Sequence, residues 1–328
     1  MNKKIAVVIL NYNGQPLLEK YLPSVFKYSN LATLYVIDNA SSDNSLAFLG
    51  ENYPKITIIP LDKNYGYATG YNMGLKNLAE EYFCLLNSDI RVSEYWIEPV
   101  LELFETDRSI AAIQPKILDD KNPDYFEYAG AAGGFIDAFG IPFCRGRFFE
   151  TIEKDIGQYD DVKEIFWASG ACFFIRKVAF QKVNGFDDTF FAHQEEIDLC
   201  WRLKNNNFKI FYQSESTVFH LGGATLKINN PLKTYLNFRN SLYMLYKNLP
   251  IQVKFQRLLL RLCIDGLIGL KYLFAGQFKH TWSIIKAHFS FYFHLSALKS
   301  NRLVINKYYQ TYSIIWSYFV ENKKYFKD

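Results

Sequence analysis

The sequence lacks a disulfide framework, a thiolate metal motif and a long apolar run. Its five cysteines are odd in number and form no C-x-x-C pair, which argues against disulfides and against a zinc site of that type. No uncharged apolar run reaches the roughly 18 residues of a membrane-spanning helix. The apolar run at residues 5–10 is also too short for a signal peptide, so the sequence predicts a cytoplasmic protein.

The chain is instead rich in hydrophobic and aromatic residues, which make up 49% and 18% of its 328 residues. This composition excludes a disordered chain, and the length allows one large α/β domain or two smaller ones. The net charge of +4 is divided unevenly, since residues 250–328 contain 12 Lys and Arg, 3 Asp and Glu and 17 aromatic residues. We therefore predict a domain at residues 1–248 and a basic, aromatic-rich helical extension at 249–328.

Strand and helix patterns alternate through the first 90 residues. Apolar runs at residues 5–10, 34–37, 56–59 and 82–86 predict strands, with helical periodicity between them. This order predicts an α/β fold with a mostly parallel central sheet. Further along, we expect an irregular loop at 119–164, a strand at 166–175, a helix at 195–205 and helix from about Pro231 to the end.

Polar residues follow each of these predicted strands. In an open parallel sheet, ligands bind beyond the carboxyl ends of the strands, so these residues predict a ligand site. No glycine cradle is present there: the dinucleotide pattern G-x-G-x-x-G and the P-loop are both absent. A nucleotide diphosphate would therefore need a divalent cation, which carboxylates and phosphate oxygens hold together. The polar clusters lie at residues 11–14, 38–43, 62–66 and 87–89.

Eight motifs in this order resemble glycosyltransferase family 2, and within it the rhamnosyltransferase-like branch. The resemblance covers about residues 5–248 and implies a GT-A fold for that domain. The motifs are VILNYNG (8–14), VIDNASSD (36–43), NYGYATGYNMG (64–74), LLNSD (85–89), SGAC (169–172), GFDDTFF (185–191), EEIDLCWR (195–202) and HLGGAT (220–225).

The resemblance implies transfer of a sugar, with inversion, from a nucleotide-diphosphate sugar to a hydroxyl group. The acceptor would be a saccharide or a lipid-linked saccharide in cell-surface polysaccharide synthesis, and no nucleic acid is expected as a partner. Asp38 would contact the base or ribose. The rest of the nucleotide would be lined by Leu10, Asn11, Tyr12, Asn64 and Gly66.

The resemblance also implies a cation site, for Mg²⁺ or Mn²⁺, at the end of the fourth strand. Asn87-Ser88-Asp89 matches the D-x-D metal motif with Asn in place of the first acid. Asp89 is therefore the expected metal ligand, with Asn87 and Ser88 as donor contacts. His220 is a second candidate because imidazole coordinates divalent ions, although a lone histidine is as well explained by a structural role.

Three acids crowd the start of the predicted helix at 195–205. Carboxylates are favourable at a helix N-terminus, and Asp198 with Arg202 forms an i,i+4 pair, so a structural role explains Asp198. A direct displacement needs a base for the acceptor hydroxyl. The family places this base at the second acid of a pair, which is Glu196 here, with Glu195 as the alternative.

The extension offers two interpretations. Its first helix places Lys254, Arg257, Arg261 and Asp265 on one face. That face either packs against the catalytic domain or binds an anionic membrane, which would put the protein at the cytoplasmic face of the membrane.

Two rival functions share this sequence pattern. A sugar-phosphate nucleotidyltransferase would require a loop rich in glycine and basic residues after the first strand, which residues 11–14 are not. An inactive sugar-nucleotide-binding protein would keep Asp38 and Asp89 but would not need the acids of the 195–205 helix.

Overall fold

Strands and helices alternate through the first half of the chain, as their sequence patterns predict. The structure is a computed structural model that describes residues 3–222, 230–301 and 304–326. The first elements are β1 (Ile5–Asn11), α1 (Gln15–Tyr28), β2 (Ala32–Asp38), α2 (Ser45–Asn52), β3 (Thr57–Pro60), α3 (Gly66–Leu75), β4 (Tyr82–Leu86), β5 (Ile90–Val92), α4 (Glu98–Thr106) and β6 (Ile110–Asp119).

The segment that follows β6 contains a small antiparallel sheet, so the prediction of an irregular loop at 119–164 is wrong. Its strands have two or three residues each, too few to show an alternating pattern in the sequence. Gly140 and Gly146 adopt left-handed φ angles of 69° and 88° in the turns between strands. The strands are β7 (Gly134–Ile136), β8 (Pro142–Cys144), β9 (Arg147–Phe148) and β10 (Thr151–Ile152).

The next segment returns to the main sheet. The predicted helix at 195–205 is confirmed, and the final strand continues to His220. The prediction of a strand over 166–175 is wrong for its first half, because Trp167 forms an isolated bridge with Gly134 of the small sheet. The elements are β11 (Val162–Glu164), β12 (Cys172–Arg176), α5 (Lys177–Lys182), α6 (Glu195–Asn205) and β13 (Lys209–His220).

Within the described ranges, the main sheet has nine strands in the order β11-β13-β6-β12-β4-β1-β2-β3, with β5 paired to β13. Strands β1 to β4, β6 and β13 run in one direction, and β5, β11 and β12 oppose them. The mostly parallel sheet is thus confirmed. Alternate residues of β1 face two separate cores, with Val8 on one side and Val7 on the other. The carboxyl ends of six strands therefore share one edge.

The C-terminal part is helical only in pieces. The helices are α7 (Pro231–Asn248), α8 (Ile251–Phe274), α9 (Phe278–His294) and α10 (Ile314–Phe319). The prediction of helix to the chain end is therefore wrong for most of the chain after His294. In the described parts of the chain, no helix is both long and apolar enough to cross a membrane.

Helix α8 turns its charged face inward, opposite to what a basic membrane-binding face requires. Arg257 and Arg261 are 8% and 7% exposed, and Asp265 is fully buried. Arg261 Nε donates to Asp265 Oδ1 at 2.7 Å, so a buried ion pair satisfies this face. The guanidinium of Arg257 lies over the ring of Phe139, next to the small sheet. The charged face thus packs against the body of the protein.

Candidate active site

The polar residues after β1 and β2 form one hydrogen-bonded cluster. Asn11 and Asp38 are paired in register at the ends of these neighbouring strands, and both are buried. Asn11 Nδ2 donates to Asp38 Oδ1 and to Ser41 Oγ, each at 3.1 Å. Asp38 Oδ2 accepts from the Ser41 backbone N–H at 2.9 Å. These bonds fix the Asp38 carboxylate at the sheet edge, where the sequence predicts a base or ribose contact.

Asn39 joins this cluster to the start of α3. Its Nδ2 donates to Asn64 Oδ1 at 3.0 Å and to the Gly66 carbonyl at 3.1 Å. Asn64 Oδ1 also accepts from the Gly66 N–H at 2.9 Å. The loop before α3 is therefore tied to the end of β2, and Asn64 and Gly66 stand beside Asp38 as the motif order predicts. Sequence reasoning did not single out Asn39, although its VIDNASSD motif contains it.

Gly66 occupies a position that no other residue fits. Its φ angle is +75°, and a Cβ atom there would lie 2.5 Å from the Phe191 carbonyl oxygen. The Tyr67 N–H donates to that same oxygen at 2.9 Å. The glycine therefore allows the start of α3 to approach the segment that precedes α6.

Gly66→Ala should destabilise the protein by about 1–3 kcal/mol, because it adds both backbone strain and a steric clash. Gly50→Ala is the matched control, since Gly50 lies inside α2 and no atom of the described part of the chain comes within 4 Å of an added Cβ. That change should stabilise the protein by about 0.5–1 kcal/mol. Urea denaturation measures both. Equal effects of the two substitutions would contradict this assignment.

Asp89 and His220 lie in contact, because β5 pairs with the end of β13. Ile90 is opposite His220 in this pairing, and His220 Nε2 lies 3.2 Å from Asp89 Oδ1. Its other nitrogen, Nδ1, lies 3.3 Å from Glu127 Oε1. All three side chains are buried. The imidazole thus bridges two carboxylates, one predicted from the sequence and one not.

The two carboxylates determine the charge of His220. Burial on its own would lower the pKa of His220, but Glu127 and Asp89 outweigh burial and raise that pKa to about 10. His220 is therefore an imidazolium at neutral pH in this arrangement. Glu127 was missed because it comes from the segment predicted to be a loop. No motif marks it there. Residues 223–225 of the HLGGAT motif lie outside the described residues.

The chemistry of this cluster fits a divalent cation, although its arrangement is that of an ion pair. Two carboxylates and an imidazole are donors that Mg²⁺ or Mn²⁺ accept. Across the three described ranges, however, no group of three or more His, Cys, Asp and Glu side chains is arranged to hold a metal ion. Asp89 can therefore serve as a ligand together with oxygens of a bound diphosphate. His220 can ligate only by giving up its proton.

The remaining donor-site residues lie around this edge. The Asn87 N–H donates to the Ala171 carbonyl at 2.9 Å, which ties the end of β4 to the segment before β12. Ser88 Oγ would lie 3.8 Å from a Cβ at Gly14, so Ser88 stands beside the end of β1. Leu10 packs against α3 at Gly70. Tyr12 keeps 47% of its surface exposed, which leaves its ring accessible.

The two glutamates at the start of α6 differ in exposure. Glu195 is buried, and among the described residues its Oε2 finds no hydrogen-bond partner. Burial, and then the neighbouring Glu196, raise the pKa of Glu195 well above its usual range. Glu196 is only half-buried, and burial raises its pKa to about 7 while backbone N–H groups oppose the shift. Glu196 is therefore the carboxyl group that both meets solvent and titrates near neutral pH.

Glu196 lies at the same sheet edge as the donor cluster. A Cβ at Gly170 would be 3.9 Å from Glu196 Cβ and 3.1 Å from the Tyr67 hydroxyl. That hydroxyl donates to the Gly170 carbonyl at 2.8 Å. Because Ala171 contacts Asn87, the segment at 169–171 connects the Asp89 side of the edge to Glu196.

A strained turn at residues 193–194 sets the direction in which α6 begins. His193 and Gln194 both adopt left-handed φ angles, of 71° and 72°. Non-glycine residues hold such angles only where their surroundings fix them. Asn240 of α7 does so here, since its buried Nδ2 donates to the Ala192 and His193 carbonyls at 2.9 and 2.7 Å. No motif or pattern in the sequence marks Asn240.

Asp198 has the structural role that its spacing predicts. Arg202 Nε donates to Asp198 Oδ2 at 2.7 Å in a buried i,i+4 pair. Lys247 and Asn248 of α7 also donate to the Asp198 carboxylate. Burial opposes ionisation, but these cationic partners outweigh it and lower the Asp198 pKa. The network anchors α6 to α7 and so holds Glu195 and Glu196 in place.

Comparison with known proteins identifies the family of this chain. The model of the family described as "Glycosyl transferase family 2" matches residues 6–184, which hold β1 to β4, the Asn87–Ser88–Asp89 motif and the 169–172 segment. The chain belongs to glycosyltransferase family 2. Its activity is therefore glycosyl transfer from a nucleotide sugar.

Two curated relatives have related activities by name. The chain is 26% identical over 243 residues to the N-acetylglucosaminyl-diphospho-decaprenol L-rhamnosyltransferase of Mycobacterium tuberculosis, covering 67% of this chain and 76% of the relative. It is 24% identical over 243 residues to the low-salt glycan biosynthesis hexosyltransferase Agl10 of Haloferax volcanii, covering 72% and 73%. The similarity to the rhamnosyltransferase-like branch is thus confirmed.

A solved structure confirms the GT-A fold. GalNAc-T7, crystallised with UDP, GalNAc and Mn²⁺, superposes with a TM-score of 0.59 over 75% of this chain at 17% sequence identity. The alignment spans 48% of the GalNAc-T7 chain, so the similarity concerns one part of that larger enzyme.

Proposed function

We propose that this glycosyltransferase inverts the anomeric configuration of the sugar it transfers and uses Glu196 as the general base for the acceptor hydroxyl. The observation that carries the proposal is the half-buried Glu196 carboxyl, with a pKa of about 7, at the edge that holds Asp38 and Asp89. The acceptor oxygen forms the new bond to the anomeric carbon as the bond from that carbon to the diphosphate oxygen breaks. The electron pair leaves with the diphosphate, and the acceptor proton passes to Glu196.

The donor nucleotide would lie along the ends of β1 and β2. Asp38 is fixed there with one oxygen bonded to Asn11 and the other to the Ser41 N–H. A ribose hydroxyl or base N–H can donate to its remaining lone pairs. The exposed ring of Tyr12 supplies a surface on which a base can stack. Asn64 and Gly66 would line the opposite side of the nucleotide.

The diphosphate would lie against Asp89. Asp89 would hold a divalent cation, whose positive charge would stabilise the leaving group. His220 contacts the Asp89 carboxylate through Nε2, and its Nδ1 lies beside Glu127, so this pair of contacts would position Asp89. Support for a cation comes from the donor types at Asp89 and from the Mn²⁺ in the GalNAc-T7 crystal.

We infer a lipid-linked saccharide as acceptor and a deoxyhexose such as rhamnose as the transferred sugar. The M. tuberculosis relative carries both in its name, since it acts on N-acetylglucosaminyl-diphospho-decaprenol. The test is a transfer assay with Mn²⁺ and a panel of UDP-, GDP- and dTDP-sugars on that lipid-linked acceptor. Release of nucleoside diphosphate that depends on the acceptor supports the proposal. Binding without any transfer would favour an inactive sugar-nucleotide-binding protein.

Transfer should rise with pH up to about pH 7 and then level off. Glu196 accepts a proton only when ionised, and burial raises its pKa to about 7. Below that value, kcat/KM should fall about tenfold for each pH unit, since the ionised fraction falls by that factor. The measurement is kcat/KM from pH 5.5 to 8.5. A flat profile across this range would contradict the role of Glu196.

A further inference from the structure

Helices α8 and α9 form an antiparallel hairpin. The turn at 275–277 joins them, and the rings of Tyr272 and His280 stack at a centroid distance of 5.1 Å just behind it. Thr281 Oγ1 donates to the Gly269 carbonyl at 3.1 Å, and His288 contacts Asp265 further along. These contacts hold the two helices side by side along their length. The end of the hairpin is therefore a defined surface.

This end, which we call the hairpin tip, comprises residues 267–282 and is apolar on its outside. Phe274 and Phe278 flank the turn and are 86% and 64% exposed. Exposed apolar side chains continue from the tip along the outer positions of both helices, at i, i+3 and i+4 spacing. The exposed apolar residues of the tip are Leu267, Leu270, Leu273, Phe274, Phe278 and Trp282.

The apolar side chains continue away from the tip on each helix. On α9 they recur as Ile285, Phe289 and Phe293, of which Phe293 is 87% exposed. On α8, Phe255 and Leu259 are 80% and 51% exposed. Monomeric soluble proteins rarely expose so many large apolar side chains in one patch unless the patch binds a partner. Contact with an apolar environment would therefore stabilise this surface.

The charges around the tip are of one sign. Lys271 and Lys279 are both exposed within it, and Lys286 is exposed on the next turn of α9. Residues 250–320 contain a single acid, Asp265, which is fully buried in its pair with Arg261. A second copy of this chain would bring lysines against lysines on such a surface. An anionic surface would be complementary to it.

We propose that the hairpin tip inserts into the interface of an anionic membrane. Phe274, Phe278 and Trp282 would enter the acyl boundary, where aromatic side chains are favoured, while Lys271 and Lys279 meet the phosphate headgroups. The proposal rests on the proposed function for its purpose, since docking would bring the active site to a lipid-linked acceptor. It assigns membrane contact to the apolar face of the extension, whereas its basic face packs inward.

Sedimentation with vesicles tests the proposal and requires no substrate. The protein should bind vesicles of phosphatidylcholine mixed with phosphatidylglycerol, and bind them less as salt rises. The triple variant F274S/F278S/W282S should lower the partition coefficient at least about 100-fold, because each large apolar side chain that leaves the interface costs roughly tenfold. Ile156→Ser is the matched control, since Ile156 is 79% exposed outside the extension. This variant should have the same partition coefficient as the wild type.

The double variant K271E/K279E separates charge from apolar insertion. It should weaken binding to anionic vesicles at least about 20-fold and leave binding to pure phosphatidylcholine unchanged. If the wild type ignores vesicles, or if the triple variant binds as well as Ile156→Ser, the proposal is wrong. A wild-type dimer that the triple variant converts to monomer, without vesicle binding, would assign the tip to self-association. Because no donor or acceptor is present, failure of glycosyl transfer does not affect these outcomes.

Discussion

Glu196→Gln should lower the rate of transfer at least about 100-fold while the affinity for nucleoside diphosphate stays unchanged. Gln has the shape of Glu but cannot accept the acceptor proton at neutral pH. Glu196 lies beside Gly170, whereas Asp38 is bonded to Asn11 and Asp89 is paired with His220. The substitution should therefore lower kcat, measured with saturating donor. The Kd for nucleoside diphosphate, measured by calorimetry, should equal that of the wild type.

Glu195→Gln is the comparison that decides between the two glutamates. Glu195 is buried, and burial raises its pKa and so disfavours its ionised form, so an amide in its place should preserve most of the rate. If Glu195→Gln abolishes transfer and Glu196→Gln does not, the base is Glu195. If both variants transfer normally, neither glutamate is the base.

Asp89→Ala should weaken nucleoside diphosphate binding at least about 100-fold in the presence of Mn²⁺, since the cation loses its protein carboxylate. The wild type in EDTA should bind as weakly as the variant, and EDTA should have no further effect on the variant. Calorimetric titration of both proteins, with and without Mn²⁺, measures this coupling. Equal affinity in all four titrations would remove Asp89 from the cation site.

Asp107→Ala is the matched control for the loss of one carboxylate. Asp107 precedes β6 and accepts from Lys209 at the start of β13, so it lies at the opposite edge of the sheet. Its variant should bind nucleoside diphosphate as the wild type does.

A further outcome would assign the diphosphate contact to His220 instead of a cation. If binding persists in EDTA but is lost in the His220→Gln variant, the His220 imidazolium, held by Asp89 and Glu127, contacts the diphosphate directly.

The donor side of the site could be predicted from the sequence because its signals are local. Each strand of the first half is a short apolar run that ends in polar residues, and parallel strands bring those ends to one edge. Asn11 and Asp38 are the last residues of β1 and β2, and Asp89 follows in the short turn after β4. Their proximity then requires only the strand order, which the alternation of strands and helices implies.

Glu127 and Asn240 could not be predicted, because tertiary contacts alone bring them to the site. Glu127 follows β6 in a segment whose strands are too short to show a pattern. It reaches His220 because β6 and β13 are neighbours in the sheet. Asn240 lies in the middle of α7, and its role arises from the position of that helix against the turn at His193.

The sequence left the orientation of α8 open for a related reason. Helical periodicity correctly places Arg257, Arg261 and Asp265 on one face, and charged faces usually point to solvent. Here Arg261 pairs with Asp265 inside the protein, and the Arg257 guanidinium lies against the rings of Phe139 and Tyr312. Nothing in the helix sequence itself reveals that its partner surface offers those contacts.

Hydrogen–deuterium exchange with bound nucleoside diphosphate tests the central claim most directly, that the donor binds along the shared edge of the strands. UDP, GDP and dTDP are each added with Mn²⁺, and protection is mapped by mass spectrometry. The account predicts slower exchange at residues 10–13, 38–43, 64–67 and 87–89, and unchanged exchange in β7 to β10 and in the hairpin tip. Protection confined to the small sheet or the C-terminal helices, or no protection with any of the three nucleotides, would contradict it.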